Sequence, residues 1–129
     1  MKDVPEGFVP VQHAKMLKEC GFDKPCYGRF HHYPPDEMEV RYNAMDWNNN
    51  DFSDTMSAPT YQDAENWLWS EHKLYVRTQP RSDRQYIWHR TYRGVESFPM
   101  EGFNSPIPAH REGIRKAIEH IHSQLKIIE

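Results

Sequence analysis

Aromatic and cationic side chains alternate along one predicted β-hairpin, and their types and spacing suit binding better than bond-making chemistry. We assign the strands to residues 73–79 and 84–93 and the turn to residues 80–83, which places Tyr75 opposite Trp88. One face of the hairpin then carries Lys73, Tyr75, Arg77, Tyr86, Trp88, Arg90 and Tyr92. The other face carries Leu74, Val76, Ile87, His89 and Thr91. The sequence therefore predicts an outward aromatic and cationic face, backed by a face aliphatic enough to pack on a core.

The outward face has the chemistry of a platform for anionic aromatic ligands. Planar rings stack on bases, and guanidinium groups pair with phosphates. We therefore expect a non-enzymatic protein that captures a small ligand such as a nucleotide signal, with Trp47, Trp69 or a second subunit completing the site. Two other interpretations stay open, because the same residue types stabilise exposed antiparallel strands and are enriched in homodimer and partner-protein interfaces. If the face is an interface for a partner protein, the protein would be an interaction module that inhibits a host protein.

The eight histidines suggest a metal site, but their local spacing argues against one. His31 and His32 are adjacent, so on a strand they point to opposite faces. His120 and His122 are two residues apart, so on a helix they point in nearly opposite directions. We predict no metal ligands and no cofactor.

Local motifs give little support to covalent or hydrolytic catalysis. Neither Cys20 nor Cys26 lies in an activating motif. His89-Arg90-Thr91 matches one half of the two-His-x-Thr arrangement of two-histidine phosphoesterases, which needs two copies. A metal hydrolase would require His72 and His89 to meet an acid in space. We predict no catalytic residues, and a phosphodiesterase or metal hydrolase is the least favoured class.

Length and composition limit the classes of protein that fit. A chain of 129 residues with 37% hydrophobic and 27% charged residues is predicted to be one globular domain, residues 1–129. The net charge of −3 argues against a protein that coats nucleic acid through its overall field. No apolar run is long enough to cross a bilayer, and the first residues lack the hydrophobic segment of a secretory signal. We therefore expect a cytoplasmic protein with two reduced cysteines.

The first half of the chain is predicted to hold a helix, a hairpin and a loop. Residues 11–20 have helical spacing, and Gly21 stands where a left-handed C-cap is favoured. Residues 26–33 and 38–44 form the hairpin, because the Pro-Pro-Asp-Glu segment between them has turn chemistry. Residues 45–56 are polar and aperiodic, which indicates a loop.

The second half adds two helices around the central hairpin. Thr60 is the expected N-cap of the first, with Asp63 completing a capping box and His72 near its end. Residues 95–108 are an irregular connection, and residues 109–127 form the last helix. Its inward stripe consists of Ile114, Ala117, Ile118, Ile121 and Leu125. The order αββαββα predicts an α+β fold in which helices cover one face of an antiparallel sheet of about four strands.

Several short motifs resemble small proteins of phages and mobile elements of gut Bacteroidetes. The matching pieces are Cys20-Gly21-Phe22, Pro25-Cys26-Tyr27, the segment from Ser57 to Gln62 (SAPTYQ), Trp67-Leu68 and Glu71-His72. The resemblance spans most of the chain in element order, and its distinctive part is the helix that SAPTYQ introduces. It implies a phage or mobile-element setting, in which capture of a nucleotide would sequester a signal of host defence. It supplies no catalytic residues to transfer.

Overall fold

The computed structural model describes residues 7–22, 24, 26–31, 37–45, 55–99 and 101–128. The elements are α1 (Val11–Glu19), β1 (Cys26–His31), β2 (Glu37–Met45), β3 (Thr55–Ala58), α2 (Tyr61–His72), β4 (Tyr75–Pro80), β5 (Tyr86–Tyr92), β6 (Val95–Ser97) and α3 (Pro106–Ile128). The described strands form two three-stranded antiparallel sheets with the orders β2-β1-β3 and β4-β5-β6. The fold is therefore α+β, as predicted. The prediction of a single sheet of about four strands is wrong, because β3 and β6 are additional strands and the strands divide between two sheets.

Helix α1 ends at Glu19, one residue before the predicted end, and Gly21 has the left-handed conformation that the sequence predicts. Gly21 has a φ angle of 99°. The backbone N–H groups of Gly21 and Phe22 donate to the carbonyl oxygens of Lys18 and Leu17 at 3.0 and 2.9 Å. This pair of hydrogen bonds is a Schellman motif, and it directs Phe22 into the core against the edge of Trp67, with ring centroids 5.7 Å apart.

The first sheet contains the predicted hairpin and one strand that the sequence did not predict. Strands β1 and β2 pair antiparallel, with an irregularity between Cys26 and Gly28. Strand β3 pairs with the other edge of β1, where the sequence predicted the end of a loop. The central part of that loop, residues 46–54, lies outside the described residues.

Helix α2 begins with the predicted capping box. The Thr60 side chain accepts a hydrogen bond from the Asp63 backbone N–H, and the Asp63 carboxylate accepts one from the Thr60 N–H, each at 3.0 Å. Lys73 ends the helix in the left-handed conformation, with a φ angle of 52°. The buried residues of the helix are Ala64, Trp67 and Leu68, as predicted.

A tight turn at Arg93 and Gly94 joins β5 to β6, and β6 lies in the segment 95–108 that the sequence predicted to be irregular. The two residues have φ angles of 52° and 77°, and Tyr92 pairs directly with Val95. Positive φ at both central positions defines a type I′ turn, whose usual signal is Asn-Gly or Asp-Gly. Because Arg takes the first position, the sequence did not reveal this hairpin.

Helix α3 packs directly on the second sheet. It begins at Pro106 rather than at the predicted residue 109, with the proline at a helix start that needs no amide donor. A Cβ atom added to Gly113 would lie 2.6 Å from Cβ of Trp88 and 2.8 Å from Cγ1 of Val76. The glycine therefore permits the close approach of the helix to β4 and β5. Leu125 is 37% exposed, so the predicted inward stripe ends at Ile121.

One buried core joins both sheets to all three helices. Ala58 and Cys26 contribute from the first sheet, and Val76 and Tyr92 contribute from the second. The helical members are Ala14, Leu17, Ala64, Trp67, Leu68, Ile114, Ala117, Ile118 and Ile121.

Candidate functional site

The pairing of β4 with β5 divides the predicted aromatic and cationic face between the two sides of the sheet. Tyr75 pairs with Thr91 and Arg77 pairs with His89, whereas the predicted register placed Tyr75 opposite Trp88, a difference of three residues. An odd shift moves every side chain of one strand to the other face. Tyr75 and Arg77 therefore lie on the side opposite to Trp88, Arg90, Tyr86 and Tyr92. The predicted register is wrong.

The turn chemistry explains the change in register. The loop spans residues 81–85, because Pro80 pairs with Tyr86 and the Arg81 N–H donates to the Gln85 carbonyl at 2.7 Å. The guanidinium of Arg81 donates to both carboxylate oxygens of Asp83, at 3.0 and 2.6 Å. Arg84 takes a φ angle of 65°. Side chains thus stabilise a loop longer than the four-residue turn that the sequence suggested.

The face of the sheet that α3 covers carries four residues of the predicted set: Trp88, Arg90, Tyr92 and Tyr86. Trp88 and Tyr92 are 7% and 8% exposed. The guanidinium of Arg90 lies 5.7 Å from the centre of the Trp88 ring and donates to the Lys116 carbonyl of α3 at 3.2 Å. Trp88 is therefore part of the packing between helix and sheet, and it cannot stack on a ligand from solvent.

The remaining predicted residues are dispersed. Trp69 and Tyr75 are 53% and 52% exposed, and their rings meet edge to face at 6.2 Å. Tyr86 is half-buried and exchanges two backbone hydrogen bonds of 2.8 Å with Phe103. Trp47 lies outside the described residues.

Arg77 interacts with a buried histidine. Its Nε donates to Nδ1 of His89 at 3.2 Å, and the His89 side chain is buried. Because Nδ1 accepts this bond, Nε2 carries the ring proton, and it lies 3.7 Å from Oε2 of Glu96. Phe98 stacks on the imidazole with a centroid distance of 5.9 Å. The Nε of Arg77 is therefore engaged in a hydrogen bond within the sheet.

The cleft between α3 and the β5–β6 hairpin gathers cationic side chains, and we call it the Arg90–His120 cleft. Its volume is about 240 Å³. The described residues that line it are Arg90, Tyr92, Arg93, Val95, Ser97, His120 and Gln124. None of them is acidic. Two predicted site residues, Arg90 and Tyr92, thus meet here with residues of the β5–β6 turn and of α3.

The electrostatics of the Arg90–His120 cleft are positive. Burial lowers the pKa of His120, and the charges of Arg90 and Arg93 lower it further. Burial also lowers the pKa of Arg90. Within the described part of the chain, neither arginine has a carboxylate partner; the Arg93 guanidinium lies 5.1 Å from the centre of the Tyr92 ring. The cleft can therefore accept an anion without first breaking an ion pair.

Hydrogen-bonding groups complete this cleft. Nε2 of His120 lies 3.3 Å from Nε2 of Gln124, so the amide donates and the imidazole accepts. Ser97 adds a hydroxyl group from β6. Sequence reasoning missed Arg93, Ser97, His120 and Gln124, although the spacing of His120 and Gln124 by four residues could have placed both on one face of α3.

A second cleft lies where α2, β4 and α3 meet, and we call it the Glu65–His110 cleft. Its volume is about 310 Å³. Oε2 of Glu65 lies 2.6 Å from Nε2 of His110, and Oγ1 of Thr78 lies 3.2 Å from Nδ1 of the same ring. The described residues that line the cleft are Tyr61, Gln62, Glu65, Thr78, Pro106, Ile107, His110, Arg111 and Ile114. No local motif in the sequence indicated this cluster, because its three elements meet only in the fold.

The described residues contain no group of three or more His, Cys, Asp or Glu side chains placed to hold a metal ion. Within the same residues, no helix combines the length and the apolar character needed to cross a bilayer.

In comparisons with known proteins, no family model, curated protein or solved structure matches the chain.

Proposed function

We propose that the Arg90–His120 cleft is a binding site rather than a catalytic one and that it receives the anionic group of a small ligand, such as the phosphate of a nucleotide. The observation that carries the proposal is the placement of two guanidinium groups and an imidazole around one cleft whose described lining has no acidic residue. Guanidinium groups recognise phosphate through paired hydrogen bonds, which adds geometric selectivity to the charge attraction.

The imidazole adds a proton-linked contribution. With its pKa lowered by burial and by the two arginines, His120 is neutral at pH 7 in the empty cleft. A bound dianion would favour the protonated ring and raise its pKa. Binding would therefore take up a proton, and it would strengthen as the pH falls toward 6.

The size of the cleft limits how much of the ligand is enclosed. A volume of about 240 Å³ lies below the roughly 300–1,000 Å³ usual for pockets that enclose a drug-sized molecule. We expect the phosphate to lie inside and the rest of the ligand to extend past Val95, which is 64% exposed. A base could then stack on the guanidinium of Arg93, whose Cζ lies 5.1 Å from the centre of the Tyr92 ring. Sequestration of a defence signal is the biological role that the phage resemblance suggests for such capture.

Isothermal titration calorimetry with adenosine monophosphate, inorganic phosphate and adenosine tests this proposal. We expect the two phosphate-bearing compounds to bind and adenosine not to bind. Arg93→Gln should weaken binding by about tenfold to a hundredfold, since a hydrogen bond to a charged group contributes about 1.5–3 kcal/mol. Lys15→Gln is the matched control, because it removes an exposed cation from α1, none of whose described residues lines the cleft. Absence of heat with both phosphate compounds, or equal weakening by Lys15→Gln, would contradict the proposal.

A second candidate function is binding of a partner protein through the exposed pair of Trp69 and Tyr75. Both rings are more than half exposed, and the Lys73 ammonium lies 5.3 Å from the centre of the Trp69 ring. Exposed aromatic groups beside a cation are typical of interface hot spots. A protein retained by the wild type but lost with Trp69→Ser in a pull-down would support this function, and equal retention by both would count against it.

A further inference from the structure

We infer that the Glu65–His110 cleft is a second site, one that supports acyl transfer from small esters, with Thr78 as nucleophile and His110 as general base. It shares no described lining residue with the Arg90–His120 cleft. The inference therefore does not depend on the proposed anion binding.

The hydrogen bonds run in the order that nucleophilic catalysis requires. The Glu65 carboxylate can only accept, so Nε2 of His110 donates to it across 2.6 Å. Nδ1 is then unprotonated in the neutral ring, and it accepts from the Thr78 hydroxyl across 3.2 Å. A carboxylate that fixes the tautomer of a histidine, with the histidine activating a hydroxyl, is the logic of the serine hydrolase triad.

The fold places these groups where a substrate could reach them. The side chains of Glu65 and His110 are 27% and 32% exposed, and Thr78 is half-buried on β4. Pro106, Ile107 and Ile114 give the same cleft an apolar lining suited to a short acyl chain, and Ile107 is 60% exposed at its rim. The cleft volume of about 310 Å³ admits an ester of this size.

Arg111 gives the lining of this cleft a positive charge. Arg111 lines the cleft, and its guanidinium lies 5.4 Å from the centre of the Tyr61 ring. A guanidinium near a developing negative charge stabilises the transition state more than the neutral carbonyl of the substrate.

The proposed reaction has two balanced steps. Oγ1 of Thr78 bonds to the carbonyl carbon as its proton passes to Nδ1 of His110, and the carbonyl π electrons move to oxygen. The tetrahedral intermediate collapses, the ester C–O bond breaks, and the alcohol leaves with the proton from Nδ1. Water then attacks the acyl-threonine with His110 again as base, which releases the carboxylic acid and restores the hydroxyl. No oxidant or reductant is needed.

Hydrolysis of p-nitrophenyl butyrate by the full chain tests the inference. Thr78→Val keeps the size and branching of the side chain but removes the nucleophile, so we expect the rate above background to fall on the order of 100-fold. Thr78→Ser should retain activity, since it keeps the hydroxyl. Thr91→Val is the matched control, because it makes the same substitution on β5 without touching the cleft. Circular dichroism establishes that each variant is folded.

Two further measurements separate catalysis from a purely structural link between α2, β4 and α3. Quenching the reaction in acid should trap a butyryl adduct that peptide mapping assigns to Thr78. Glu65 acts by positioning His110. The variant Glu65→Gln should therefore change the pH profile of the rate as well as lower the rate. A wild-type rate at background, an adduct on another residue only, or equal rates for wild type and Thr78→Val in folded proteins would overturn the inference.

Discussion

At the scale of single residues, His120 reports on the charge of the Arg90–His120 cleft. Its pKa is lowered by burial first and then by the charges of Arg90 and Arg93, so we expect the pKa to lie below the usual value near 6.5. Arg93→Gln removes one positive neighbour and should raise the pKa of His120, whereas Arg93→Lys should leave it nearly unchanged. An NMR titration of the imidazole Cε1–H in phosphate-free buffer measures this. Equal pKa values in wild type and Arg93→Gln would show that the two side chains do not interact.

The site at this scale was only partly predictable. Residue type and alternation along β5 drew attention to Arg90 and Tyr92, and both line the Arg90–His120 cleft. Their neighbours Arg93 and His120 come from a turn and from a helix remote in sequence, so alternation along a strand could not have found them. Tyr75 and Arg77 are separated from Arg90 and Tyr92 because the faces of a hairpin depend on a register that its loop decides.

At the scale of elements, the close approach of α3 to the second sheet gives a stability prediction. Gly113→Ala gains about 1 kcal/mol of helix propensity but forces overlap with Trp88 and Val76, and overpacking costs about 1–3 kcal/mol. The neighbouring atoms are near their backbones and cannot swing away, so we expect net destabilisation of about 1 kcal/mol. The melting temperature should fall by about 4 °C.

Ser123→Ala is the control for this substitution, because it raises helix propensity at an exposed position of the same helix. We expect its melting temperature to change little. A Gly113→Ala protein as stable as the wild type would mean that α3 can shift away from the sheet at little cost.

Element boundaries were predictable wherever the determining contacts are local. The capping box of Thr60 and Asp63 and the left-handed Gly21 each involve residues within one turn of chain, and both are confirmed. Strand β6 was missed because its turn places Arg93 at a position where Asn or Asp is the usual signal. The early start of α3 was missed because Pro106 and Pro108 suggested an irregular segment, although proline is well tolerated in a first helical turn.

At the scale of the whole molecule, helix α3 is the element that unites the fold. It contacts α1, α2, β4 and β5, and both described clefts have one wall on it. The sequence predicted the α+β class because hairpins and amphipathic helices are local patterns. It could not predict two sheets in place of one, because that outcome depends on which edges pair over long separations in sequence.

The pH dependence of stability tests this view of the assembled molecule. Burial lowers the pKa of His72, and burial with Arg90 and Arg93 lowers that of His120. Partial burial raises the pKa of Glu119, but the hydrogen bond to His13 and the charge of Lys116 outweigh burial. The pKa of Glu119 therefore lies below its usual range. Each group binds protons more tightly in the unfolded chain. Stability therefore rises with pH through each range, near pH 6.5 for the histidines and near pH 4.5 for the carboxyl group.

We accordingly expect the urea midpoint, followed by tryptophan fluorescence in phosphate-free buffer, to fall as the pH is lowered from 7 to 5. His120→Gln should reduce the size of that fall, because the variant no longer has a neutral imidazole whose protonation favours unfolding. The comparison between the two proteins isolates His120 from histidines that gain a carboxylate partner on protonation, such as His122 beside Glu19. A fall of the same size in both proteins would mean that His120 is protonated as readily in the folded chain as in the unfolded one, and that the cleft lacks the positive field inferred from Arg90 and Arg93.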